Sequence, residues 1–369
     1  MARKLIIGTP YQILTADFDG TSFSLTGSGN KTVGSAPSWL IFKDPNRLYA
    51  VNENADDLNL FTLDAASSNP TFASTAVGSS GVVFLEFNAD QSRMVGAAYG
   101  SGMVDVWDTT ATDGSLKLLK QVNVTGPLGP NQEVHHPHQA LLDPTGRFFV
   151  IPDLGGDAIF VLDGKDDRYE ITGNVTLEAG AGPRHGGFIT SGDLTFYVIA
   201  CEISNQVILY QLHYAEDTIK FTEVQKQSTY GPGFPPANAT SAAVGELAVA
   251  SNNKDVYISN RLSGNETDSI AHFTFNSGGT NGSATLHFAD TTSSGGLLPR
   301  MFSLSMDADE SLVFVANQGG DNGLAAFKRC PKSGSLSSTP VATLPSASLV
   351  APELAATPNM GPQFVKELC

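Results

Sequence analysis

His138-Gln-Ala-Leu-Leu142, Asp143-Pro-Thr-Gly146, Phe149-Val-Ile-Pro-Asp153, Ala158-Ile-Phe-Val-Leu162 and Tyr169-Glu-Ile-Thr172 follow one another along one stretch of the chain. Runs rich in β-branched, aromatic and other apolar residues alternate with turn formers, so this stretch reads as four short strands of one antiparallel sheet. Its second run, apolar and ending on a polar residue, has six counterparts. They are Leu5-Ile-Ile-Gly-Thr9, Leu48-Tyr-Ala-Val-Asn52, Met94-Val-Gly-Ala-Ala-Tyr99, Tyr197-Val-Ile-Ala-Cys-Glu202, Val256-Tyr-Ile-Ser-Asn260 and Leu312-Val-Phe-Val-Ala-Asn317. Their last residues lie roughly 43–58 positions apart, the length of a propeller blade. The flanking grammar also repeats. Met301-Phe-Ser-Leu-Ser305 reads as a first strand, Asn88-Ala-Asp-Gln91 and Asp307-Ala-Asp-Glu310 as turns, and Val207-Ile-Leu-Tyr210 and Ser269-Ile-Ala-His-Phe273 as third strands. Seven copies predict an all-β chain: a single seven-bladed β-propeller over residues 1–369, with four-stranded blades. The N-terminal strands are expected to close with material from residues 340–369. No linker or shift in composition divides the chain into separate sandwich domains.

Composition agrees and excludes other classes. The chain has 369 residues, 41% hydrophobic and 16% charged, with 37 Gly, 20 Pro and a formal net charge of −16. Globular proteins average about 25% charged residues, so a coiled coil or a charged tail is excluded. Such acidity repels phosphate backbones, so no nucleic-acid partner is expected. No apolar run approaches the ~20 residues of a membrane helix, and no membrane partner is expected. The chain reads as a monomer.

The start, Met1-Ala-Arg-Lys-Leu-Ile-Ile-Gly8, is too short in apolar residues for a secretory core. Six N-x-[ST] sequons, at Asn30, Asn123, Asn174, Asn238, Asn265 and Asn281, point to a secreted, N-glycosylated protein, with a cytoplasmic one as the alternative. Cys201 lies in an apolar run and reads as a buried thiol, whereas Cys330 and Cys369 either pair or stay apart.

At His136-Pro-His138-Gln, Gly180-Ala-Gly-Pro-Arg184-His185, Ser259-Asn-Arg261, Pro299-Arg300 and Phe314-Val-Ala-Asn-Gln318 the chain resembles the lactonase family of seven-bladed propellers. That family includes the 6-phosphogluconolactonase and fungal 3-carboxy-cis,cis-muconate cyclase types. The resemblance implies a cofactor-free enzyme that makes or opens a lactone ring. It assigns a catalytic His to His138, arginines to Arg184 and Arg261, and a glutamate to Glu202. Secreted fungal lyases that cleave rhamnosyl-glucuronate bonds share the fold. They carry a His in the run equivalent to Val95-Gly-Ala-Ala98-Tyr99, where this chain has Ala98.

The residue types suit that chemistry. His138, Arg184 and Arg300 begin first strands, Asn260 ends a second strand, and Glu202, Arg261, Gln318 and Tyr99 stand at or just beyond such ends. Sevenfold repetition therefore predicts these residues at a common channel mouth. Three of the nine arginines converge there, a site for a small anionic substrate despite the overall charge, because the planar guanidinium grips a carboxylate with two hydrogen bonds. Arg184, Arg261 and Arg300 would hold carboxylates and stabilise developing negative charge. His138 or Glu202 would move the proton. His185, Tyr99, Asn260 and Gln318 are expected to contact substrate. Read as residues alone, Arg184 and Glu202 could equally form a structural ion pair. His135, His136 and His138 with Glu133 form the only His-rich tract, but Pro137 and its loop character argue against a metal site. No Gly-x-Ser-x-Gly elbow marks a serine nucleophile, and no phosphate-binding glycine loop occurs, so no nucleotide cofactor is expected. A uronate lyase and a non-catalytic binding propeller remain the alternatives.

Overall fold

The computed structural model describes residues 2–29, 32–63, 68–278 and 283–368. Among them the chain forms seven four-stranded antiparallel sheets, each built mostly from consecutive strands. The fourth of these blades comprises Leu141–Leu142, Phe148–Asp153, Ala158–Asp163 and Glu170–Thr176. The all-β, seven-bladed architecture read from the repeat is the one observed.

The second strands are apolar without alternation because both of their faces are covered. In Phe148–Asp153, Phe149 and Ile151 pack with Phe84, Val95 and Val106 of the third blade. Phe148 and Val150 pack with Tyr197, Ile199 and Ile208 of the fifth. A strand buried on both sides must be apolar at every position, and that produces the repeated run seen in the sequence. Fourth strands lose one covered face, so Glu170–Thr176 alternates toward solvent. The turns are held by the residue types that announced them. The buried Asp143 carboxylate accepts the amides of Thr145 at 3.0 Å, Arg147 at 3.1 Å and Phe148 at 2.7 Å, and Gly146 supplies the left-handed residue with φ of 76°.

The sheets group into two compact units, Trp39–Thr62 with Phe72–Lys226, and Met1–Ser38 with Leu63–Thr71 and Gln227–Cys369. In the second of these, Phe364–Glu367 adds to Arg3–Thr9, pairing Leu5 with Glu367 and Gly8 with Phe364. The closure expected from the C-terminal segment is therefore present. Arg3 fastens it by reaching Glu367 at 3.0 Å and Asp307 at 2.9 Å.

The same unit contains a buried polar knot. Asp255 contacts His272 Nε2 at 3.0 Å and Arg329 Nη2 at 2.6 Å, and Arg329 Nε donates to the Tyr257 hydroxyl at 2.7 Å. Burial pushes the Asp255 carboxyl up, but His272, Asn252 and Arg329 outweigh burial and hold it at about 2. Its folded pKa lies below the unfolded value, so its stabilisation is complete above about pH 4 and is lost as pH falls toward 2. Asp255→Asn is expected to lower unfolding free energy by about 2 kcal/mol at neutral pH and to flatten the acid limb. Urea titrations between pH 2 and 7 check this; an unchanged acid limb contradicts it.

Candidate active site

Register places the polar residues. In the fifth blade Pro183 pairs with Cys201 and His185 with Ala200, so Arg184 is an extra residue in a bulge. The seventh blade repeats this: Pro299 pairs with Asn317 and Met301 with Ala316, leaving Arg300 in the bulge. In the sixth blade the shift falls between Val244 and Leu247, and in the third between Val82 and Phe84. A bulge re-aims a side chain and breaks the two-residue alternation of the strand. The fourth blade lacks a regular strand here. Pro137 makes only an isolated bridge to Asp153, and His138 precedes Leu141–Leu142, its amide donating to Pro152 O at 3.0 Å. His138 thus lies before the strand it was expected to begin.

Within the unit containing blades two to five, several of the expected residues meet. His138 Nδ1 lies 3.0 Å from His185 Nε2, and the two side chains are 6% and 2% exposed. The Tyr99 ring stacks on His136 at 4.1 Å and meets His138 edge-on at 5.5 Å. Trp39 and Phe84 wall the His185 ring at 5.8 and 5.7 Å. Arg184, 3% exposed, pairs through Nε with Glu202 Oε2 at 2.8 Å, the glutamate remaining partly open.

Backbone holds this arrangement. Asp157 accepts the amides of Gly180 and Gly182 at 2.7 Å each, and Glu202 N donates to Gly182 O at 2.7 Å, which fixes the turn ahead of Arg184. The buried Asp153 accepts the His136 amide and contacts His135 Nδ1, each at 2.6 Å. Gln139 clasps the first strand of the fifth blade: Gly186 N donates to its Oε1 at 2.8 Å, and its Nε2 donates to Gly186 O at 3.3 Å. That side chain sets His138 opposite His185. A Cβ at Gly186 would lie 2.3 Å from the Tyr197 hydroxyl, so Gly186→Ala is expected to disturb this register and lower Tm, read by calorimetry. An unchanged Tm would contradict the close approach.

In the other unit, Arg261 donates to Val244 O through Nε at 3.2 Å and Nη2 at 2.7 Å. Arg300 sits half-buried in its bulge. Gln318 lines a cavity of about 630 Å³ with Asp321, Ser346, Thr357 and Asn359. Asn260, expected to contact substrate, is instead fully buried, and its Nδ2 donates to Thr229 O at 3.3 Å. That bond ties the end of its strand to the segment at Thr229, while its Oδ1 meets no hydrogen-bond partner among the described residues. His185 likewise backs His138 rather than standing open to a ligand.

Among the described residues no group of three or more His, Cys, Asp or Glu is arranged to hold a metal ion. Burial pushes the Cys201 thiol up, leaving it unreactive. Cys330 is exposed, whereas Cys369 lies outside the described residues. No helix is long and apolar enough to cross a membrane. Sequence reading missed Trp39, Phe84, Gln139 and Asp157; of these only Asp157, closing Gly155-Gly-Asp157, carried a local turn signal.

Comparison with known proteins bears on this geometry. Residues 4–352 match the family described as "Lactonase, 7-bladed beta-propeller". A probable 6-phosphogluconolactonase of Arthroderma benhamiae is 31% identical over 258 residues, covering 68% of this chain and 64% of that relative. The chain therefore spans just under two thirds of that relative's length. A Staphylococcus saprophyticus protein is 29% identical over 298 residues, covering 78% of this chain and 80% of the relative. Among solved structures, a Lactobacillus plantarum protein superposes with a TM-score of 0.80 at 23% identity, with 100% of each chain covered. The periplasmic gluconolactonase of Pseudomonas aeruginosa superposes with a TM-score of 0.77 at 23% identity over 100% of this chain and 99% of that one. At such identities the superpositions speak for fold alone, whereas the match over nearly the whole length decides the family: the chain belongs to the lactonase family of seven-bladed β-propellers.

Proposed function

We propose that this protein catalyses lactone ring opening, and its reverse, on an anionic sugar-acid lactone of the phosphogluconolactone type. The observation that carries the reading is the buried His138–His185 pair beside the bulge-borne Arg184 with its Glu202 partner. The name of the Arthroderma relative supports the substrate class. His138 takes a proton from water as the water attacks the lactone carbonyl, a general-base task contributing typically about 10²–10⁴-fold. Arg184 binds negative charge, first on the substrate and then on the carboxylate formed as the ring C–O bond breaks. Glu202 orients the guanidinium until substrate arrives, and the alkoxide leaving group recovers the proton from His138. Run backwards, the same transfers join a hydroxyl to the carboxyl group with release of water; a muconate-type lactonisation differs, since there a carboxylate oxygen adds across a double bond and the proton goes to carbon.

Ring opening releases a proton, so a pH-stat follows it directly against the spontaneous rate. A panel of 6-phosphogluconolactone, glucono-δ-lactone, 3-carboxymuconate and a rhamnosyl-glucuronate polysaccharide tests the reading. Acceleration of the phosphorylated lactone supports it. An unsaturated uronate product at 235 nm (roughly the absorbance of such a double bond), or inertness toward both lactones, overturns it.

The protein is further proposed to be secreted and N-glycosylated, acting as a monomer on a soluble small molecule. Supporting the first point, Asn123, Asn174, Asn238 and Asn265 are all exposed, while Asn30 and Asn281 lie outside the described residues. Secretory expression followed by glycosidase digestion should reduce the apparent mass; no change would refute glycosylation.

A further inference from the structure

We propose that His136 is a specificity-determining contact, which accepts a hydrogen bond through Nε2 from a hydroxyl on the ring of the lactone. This inference rests on the proposed action on a sugar-acid lactone and names the group that reads its hydroxyls. His136 Nδ1 lies 2.7 Å from Tyr99 O. A carbonyl oxygen only accepts, so Nδ1 carries the hydrogen and the neutral ring keeps its lone pair on Nε2. That nitrogen meets no hydrogen-bond partner among the described residues, and it is not sealed from solvent, the ring being only half-buried.

The ring is held more firmly than a surface histidine needs. Asp153 Oδ1 accepts the His136 amide at 2.6 Å and Leu154 N donates to His136 O at 3.0 Å, so both backbone groups are engaged. A Cβ at Gly155 would lie 2.9 Å from His136 N and 3.0 Å from its Cδ2, so the segment passes close over a residue without a side chain. The Tyr99 ring covers one face of the imidazole at 4.1 Å, 18° from parallel. These constraints fix a ring whose outer nitrogen is left for a ligand, the preorganisation that a binding contact requires. The same Tyr99 ring meets His138 edge-on at 5.5 Å, which sets both histidines against one tyrosine. His138, His185 and Arg184 are buried, whereas Tyr99 and His136 are half-buried. The two rings therefore belong to the part of this cluster that a ligand can touch. A lone pair there repels phosphate and carboxylate oxygens and attracts O–H groups, so negative charge is left to Arg184 and hydroxyls to His136.

The test compares glucono-δ-lactone with δ-valerolactone, the same six-membered lactone without hydroxyls, and reads the imidazole directly by NMR of ¹⁵N-histidine-labelled protein. At about pH 8, above the ordinary titration range of histidine, wild-type His136 is expected to show a protonated Nδ1 and an unprotonated Nε2. Its Nε2 signal should move on titration with gluconate but not with pentanoate, which has the carboxylate and lacks the hydroxyls. His136→Asn places an amide N–H near Nδ1 and nothing at Nε2. It should keep the bond to Tyr99 O yet lower kcat/KM for glucono-δ-lactone about five- to tenfold, with δ-valerolactone unchanged. His136→Gln, whose amide reaches the place of Nε2, should recover part of the loss and guards against a folding defect. A protonated Nε2 with a bare Nδ1 in the wild type overturns the inference. So does an Nε2 signal unmoved by gluconate, or an equal loss, or none, on the two lactones in His136→Asn. If the wild type accelerates neither lactone while gluconate still moves the Nε2 signal, the hydroxyl contact stands and the proposed reaction fails instead.

Discussion

His138→Ala is expected to open an anionic lactone ~10²–10⁴-fold more slowly than the wild-type protein, the range for loss of a positioned general base. The effect should fall on kcat, because the ring moves the proton and does not carry the charge that binds the substrate. His138 is 6% exposed and engages His185, so alanine also leaves a buried nitrogen unpartnered, at a cost of about 1–3 kcal/mol in stability. His138→Gln keeps a polar side chain near the same volume and separates the two effects. Both variants should be equally inactive, with the glutamine variant melting closer to wild type. Steady-state rates with parallel thermal unfolding check this. Wild-type turnover in the glutamine variant would remove His138 from the mechanism.

Arg184→Ala is expected to reduce kcat/KM for the same substrate by about 10²–10³-fold, the usual loss when one donor to developing negative charge is removed. Unlike the histidine variant, it should raise KM as well, since the guanidinium meets charge in both ground and transition states. Arg184→Lys should recover only part of the loss, because an ammonium cannot present the planar fork. Glu202 is partly exposed, so losing its partner leaves a carboxylate that water can reach, and the stability penalty should stay well below that of a fully buried broken pair. A lysine variant with wild-type kinetics would mean that Arg184 acts as a plain point charge.

Much of the fold was readable because it obeys one rule seven times. A second strand covered on both faces must be apolar throughout, as Phe148 to Ile151 are, and that requirement repeats with every blade. The residues proposed for the site stand at repeat-defined places: Arg184 in a first strand and Glu202 just past the end of the second, where the two side chains pair. What resisted reading depends on departures from regularity or on contacts remote in sequence. Strict alternation puts His185 on the face opposite Arg184, but the bulge at Arg184 breaks the alternation. Nothing in the sequence alone then says where either side chain goes. Trp39 and Phe84 reach His185 from two other blades, and no local pattern announces such a wall. Asn260 carried the right residue type at the right position, yet burial turned it inward onto Thr229. Repetition predicts position, and packing decides orientation.

The central claim is that a buried arginine and histidine select and open an anionic lactone. The most direct measurement is the ratio of kcat/KM for 6-phosphogluconolactone over glucono-δ-lactone, taken by pH-stat for wild type and Arg184→Ala. The account predicts a wild-type preference for the charged lactone of about 10²-fold, consistent with one well-made charged contact, collapsing toward parity in the variant. Equal rates on the two lactones in the wild type, or a preference that survives loss of Arg184, would contradict it.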